Sequence, residues 1–181
     1  MNDALSCMFA GLSTPFWGIF LRRAACTRQT VRDNRRMLIQ PSQADVRRFF
    51  CGVYAKARTD ATLDPMETLV SQWIAEHPEY HATLSDVDAA LQGMGKTDPN
   101  AENPFLHLSM HLSISEQCSI DQPRGIRQAV ELLTHKLNSL HDAHHQAMEC
   151  LGRMVYESQR SGRMPDGQAY TDCVQRHATR D

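Results

Sequence analysis

Asn103-Pro104-Phe105-Leu106-His107-Leu108-Ser109-Met110-His111-Leu112-Ser113-Ile114-Ser115-Glu116-Gln117 can be read two ways, and the choice between them decides the fold. Leu106, Leu108, Met110, Leu112 and Ile114 alternate with His107, Ser109, His111, Ser113 and Ser115, which is the period-2 signature of a half-buried strand. Against a strand, Asn103-Pro104 is a helix-start pair and Glu116-Gln117 continues a helix. The flanking segments are helical and offer no strand partner, and a lone strand leaves its backbone groups unpaired. The spacing and its context predict a helix over 103–117.

Outward from this stretch, the helix punctuation is clear. Ser42-Gln43-Ala44-Asp45 resembles a capping box with Asp in place of Glu, and Val46, Phe49, Phe50, Val53, Tyr54 and Ala57 follow at helical spacing. Asp64-Pro65-Met66-Glu67 starts a second helix with Leu69, Val70, Trp73 and Ile74 on its apolar face, and Pro78 ends it. Ser85-Asp86-Val87-Asp88 caps a short helix that stops at Gly93, and residues 93–102 read as a flexible loop. Pro123 is expected to open a helix carrying Ile126, Val130, Leu133 and Leu137, broken at Asn138-Ser139. A longer helix follows from Leu140 to Gln159, and Pro165-Asp166 starts a last one with Tyr170, Cys173 and Val174. The expected architecture is all-α, a single bundle of five to six helices.

The chain has 181 residues, which suits one domain with a real core. A hydrophobic fraction of 41% and a charged fraction of 22% exclude wholesale disorder. The net charge of −2 hides an asymmetry: residues 1–36 carry six arginines against Asp3 and Asp33, a net of +4, and the remainder is −6. An acidic domain opposes a nucleic-acid partner. The apolar run Ala4–Leu21 is interrupted by Ser6, Ser13, Thr14 and Pro15, so it is a poor membrane span, and it lacks the basic start of a secretory signal. Residues 1–36 are read as an extension outside the core, either an artefact of start assignment ahead of Met37, a disordered arm or a weak membrane-surface anchor. The domain is taken as 37–181. The six cysteines are scattered without paired spacing, which suggests reduced thiols and a cytoplasmic location.

Eight of the nine histidines fall between His77 and His145. Three groups stand out: His77 with His81, His107 with His111, and His141, His144 and His145 with Glu149 beyond. On a helix, side chains at i and i+4 are about 5–6 Å apart at Cβ, so both imidazoles reach one ion. On a strand the same pair would stand roughly 13 Å apart. His107/His111 and His141/His145/Glu149 are therefore candidate chelating sets from facing helices, as helix bundles use. His144 falls on the apolar face of its helix, and His77, preceding proline, makes His77/His81 the weakest pair. Imidazole ligands with a carboxylate suit zinc, iron or manganese. There is no H-E-x-x-H motif to specify a metalloprotease.

His77-Pro78-Glu79-Tyr80-His81, Asn103 through His111, Glu116-Gln117, His141 to Cys150, Gln159-Arg160-Ser161-Gly162, Pro165-Asp166 and Tyr170 resemble a family of short bacterial proteins described as domain of unknown function 1841. The resemblance covers Pro41 to Arg176. Its pattern is matched at His77, His81, His107, His111, His141, His145 and Glu149, and departs at His144, where an acidic residue is usual. The resemblance implies no activity or substrate. Two functions stand side by side: a His/Glu metal-binding bundle, with Glu149 or Glu116 as base or supporting acceptor if it is an enzyme, and a structural or protein-interaction module whose histidines pack and hydrogen-bond. The partner, a protein or a small molecule, is not specified by either.

Overall fold

The computed structural model describes residues 41–94 and 102–180, which are helical with no strand among them. The readings of residues 1–36 and of most of the 93–102 loop lie outside the described residues. Ser42 opens α1 (Gln43–Arg58): its hydroxyl accepts from the Asp45 amide, and the Asp45 carboxylate accepts from the Ser42 amide. Asp64 and Glu67 repeat the device at α2 (Pro65–Glu76), with Pro65 in the first turn. α2 stops at His77, because the ring of Pro78 disfavours helical backbone in the residue before it. A 3₁₀ turn (Pro78–Tyr80) leads into α3 (His81–Leu84), and Asp86 caps α4 (Val87–Gln92). The His81–Leu84 helix was not read from the sequence, and with it and the expected short α4 the described residues hold eight helices, above the expected five to six.

The deciding stretch is α5 (Pro104–Ile120), with the Asn103 side chain accepting from the Phe105 and Leu106 amides. α6 (Ile126–Leu137) begins three residues later than the proline suggested. Asp121 Oδ1 accepts from the Gly125 and Arg127 amides, which holds the turn, and Gly125 sits at φ 89°, where a side chain would be strained. Ser139 caps α7 (Leu140–Ser161), and Asp166 caps α8 (Gly167–Thr179).

α5 is the spine of the bundle and packs on α1, α2, α6 and α7. Its first half, Phe105, Leu108 and Leu112, joins Phe50, Val53, Val70, Ile74 and Leu84 in one core. Ile114, further along, joins Ile126, Val130, Leu133, Leu151 and Val174 in the other. Burying each such side chain contributes about 1.5–3 kcal/mol, so both halves of the bundle depend on this helix. The region between the two cores is where α2, α5 and α7 meet, and it holds the histidines.

The reduced-thiol expectation is corrected at one pair. Cys150 on α7 and Cys173 on α8 form a disulfide with Cα atoms 5.8 Å apart, because the two helices run side by side and bring together residues 23 apart in sequence. The cytoplasmic expectation loses the support it drew from the cysteines. Cys51 and Cys118 are free thiols, and Cys7 and Cys26 lie outside the described residues. No helix among the described residues is long and apolar enough to cross a membrane.

Candidate metal centre

Helical geometry on α5 sets His107 and His111 one turn apart, with their Nε2 atoms 3.1 Å from each other. His145 arrives from α7, with Nε2 3.2 Å from that of His107. His77 arrives from the C-terminus of α2, where Pro78 turns the chain, and its Nε2 lies 2.8 Å from that of His111. One ligating nitrogen from each of the four lies within 4.8 Å of the other three. A tetrahedral zinc ion with bonds of 2.0–2.1 Å needs nitrogens about 3.3 Å apart. The His77–His111, His107–His111 and His107–His145 separations fall slightly below that and the other pairs lie within 4.8 Å, so a small adjustment of the rings would seat an ion.

The opposite edges of the rings matter as much. His77 Nδ1 lies 2.7 Å from Glu79 Oε1, and His107 Nδ1 lies 2.6 Å from Glu102 Oε1. An ionised carboxylate can only accept, so each fixes the ring proton on Nδ1 and leaves the Nε2 lone pair facing the cluster. His111 Nδ1 faces His144 Nδ1 at 3.4 Å, a longer contact in which His144 can play the accepting part. Trp73 backs both rings, stacked 4.1 Å from His111 and tilted against His144 at 4.4 Å. Its indole N–H donates to Ser115 Oγ, which donates in turn to the His111 carbonyl. Tyr80 closes the other side, stacked 5.2 Å from His77.

Burial sets the charge state. Desolvation is the main reason that His107, His111 and His145 are held below the ordinary histidine range, with neighbouring imidazoles adding to it. Burial likewise takes His144 down to about 3. The hydrogen bond from His77 holds Glu79 below the usual carboxylate range. Near neutral pH His107, His111, His144 and His145 are thereby kept in the uncharged form, which is the form a metal binds.

The remaining histidines and acids of the sequence reading fall in different places. His141 lies beside the four, its ring 4.2 Å from that of His145 and 4.8 Å from that of His77. Its Nε2 is buried with no hydrogen-bond partner, a situation that costs about 1–3 kcal/mol unless something fills it. A bound ion would supply that partner. His81 is turned aside, with Nε2 2.9 Å from the Ile74 carbonyl oxygen and its ring against Tyr54, so the His77/His81 pair is split. Glu149 is exposed on α7. The carboxylates that hold imidazoles are Glu79 and Glu102, not Glu116 or Glu149. Glu79 had a legible signal, lying two residues past His77 on the same tight turn. Glu102 had none, because it closes a loop with no regular pattern.

Among known proteins, the model of a family described as Domain of unknown function (DUF1841) matches residues 42–176. No curated protein and no solved structure matches the chain.

Proposed function

The chain belongs to the DUF1841 family, and from that premise we propose that it is a metal-binding helical bundle whose ion is held by His77, His107, His111 and His145. The observation that carries this reading is the convergence of four ring nitrogens, from α5, α7 and the turn that ends α2, at separations a metal shell uses. Carboxylates behind two of the rings support it, because they free the lone pairs that coordination needs. His141 stands outside the group of four, but its ring lies beside them and its buried Nε2 has no hydrogen-bond partner, so a small ring movement would make it a fifth ligand.

With Glu149 exposed, the donor set is all imidazole, and that favours zinc, iron, copper or nickel over manganese. The approach to the ion from solvent is past His141 and His145, both partly exposed, and a substrate or water would enter there if the centre is catalytic. Such an ion would act as a Lewis acid or lower the pKa of bound water.

A second reading is favoured by the same distances. Separations of 2.8–3.2 Å also suit N–H···N hydrogen bonds, which would make the cluster a metal-free polar network in an interaction module. Elemental analysis of untagged protein separates the two. The metal reading predicts close to one ion per chain in the parent and a large loss in His111→Ala and His145→Ala. Metal-free parent protein that takes up no zinc, iron or copper on dialysis would leave the polar network in its place.

A further inference from the structure

We propose a second, sulfur-containing metal site in the other half of the bundle: Cys150, Cys173 and His177 bind one soft divalent ion such as zinc when the Cys150–Cys173 disulfide is open. The residues differ from those of the histidine cluster, so the two readings stand or fall separately. Both sulfurs and a ring nitrogen of His177 lie within 4.8 Å of one another. Cys173 and His177 are one turn apart on α8, and Cys150 faces them from α7. The disulfide itself needs only the two cysteines. A third donor beside them has no part in the S–S bond, but it completes a three-residue set of the kind zinc takes with one position left open.

The surroundings suit such a set. The cysteines are buried, at 2% and 5% exposure, within the core of α5 to α8, and His177 reaches the surface. Lys136 Nζ donates to the carbonyl oxygens of His177 and Arg180, pinning the last turn of α8 to α6. Zinc–sulfur bonds of 2.3 Å in a tetrahedron set the sulfurs about 3.8 Å apart. With Cα atoms 5.8 Å apart, side-chain rotation can open that gap without separating the helices. The open position would face the partly exposed side of His177.

The chemistry balances with a dithiol as reductant. The dithiol closes to its own disulfide and passes two electrons and two protons to the protein. The Cys150–Cys173 bond breaks, and two thiols form. The ion then displaces both thiol protons to water and takes the two thiolates and the imidazole as ligands. A small-molecule disulfide as oxidant reverses the sequence: it takes the two electrons, is itself reduced to two thiols, and the ion leaves as the Cys150–Cys173 bond forms.

Cobalt(II) is the probe that distinguishes the sites. Sulfur ligands give an intense near-ultraviolet charge-transfer absorption, which imidazole ligands do not. The full chain is examined oxidised, and again after reduction with a phosphine that is removed without oxygen. The expected result is charge-transfer absorption in the reduced protein alone, with a plateau intensity of one sulfur-bound cobalt per chain once both sites are filled. Cys173→Ser should abolish it, and His177→Ala, at a partly exposed position, should weaken cobalt binding at least tenfold. Reduced protein, with its thiols counted by titration, that binds cobalt without this absorption would overturn the proposal. So would absorption that survives Cys173→Ser, or affinity unchanged in His177→Ala.

Discussion

Acid should destabilise the metal-free protein through His144, and the size of the effect follows from its position. The side chain is 2% exposed, and burial, with smaller contributions from His145 and His141, takes its pKa down to about 3. In the unfolded chain a histidine titrates near 6.5, so below that pH the unfolded state takes up a proton that the folded state refuses. The folded-state pKa is the depressed one. The stability is therefore fully present above pH 6.5 and is lost as pH falls towards 3. Between pH 6.5 and 5.0 the loss from this one residue comes to about 1.6 kcal/mol. His107, His111 and His145 act in the same direction, and Glu116, raised to about 7 by burial, acts in the opposite one. The difference between parent and His144→Gln cancels these shared contributions. Urea unfolding in chelator at a series of pH values measures both proteins. The variant's stability should fall less over that interval, by about 1.6 kcal/mol. Parallel curves would mean that His144 ionises freely in the folded state, and the account of a dry, neutral imidazole wall would fail.

Three further outcomes are expected. Glu79→Gln, at a largely exposed side chain, should leave the fold intact and weaken metal affinity by about 10–100-fold, read by competition with a chromogenic chelator. Trp73→Ala should cost roughly 3–5 kcal/mol in urea unfolding of the metal-free protein, because it empties a buried space behind two imidazoles. Reducing the Cys150–Cys173 disulfide in metal-free protein should lower stability by roughly 3 kcal/mol for a loop of this length, measured as a shift in urea midpoint between oxidised and reduced protein that Cys173→Ser, which has no disulfide to lose, should not show.

Most of the helical layout was legible because its starts are local chemistry: Ser42, Asp64, Asp86, Asn103, Ser139 and Asp166 each cap a helix through their own side chains. α5 misled the periodicity for a physical reason. A helix contacted by α1, α2, α6 and α7 has no broad solvent face, so its apolar residues need not recur at helical spacing. Its serines are tolerated inside because Ser109 and Ser115 donate to carbonyls one turn back. The site was harder to read. Spacing on one helix could rank His107 with His111, but His77 lies outside any helix, and only tertiary packing brings it to His111. The same limit hid the cysteine pair, whose 23-residue separation spans the α7–α8 turn.

X-ray absorption at the metal edge, on oxidised protein loaded with one equivalent of zinc, tests the central claim most directly. Four imidazoles around one ion predict an inner shell of four nitrogens at about 2.0–2.1 Å, five at slightly longer distance if His141 joins, with the outer-ring scattering that histidine produces. His111→Ala should remove that pattern. A shell made of water and carboxylate oxygens, or zinc that stays in solution, would contradict the claim.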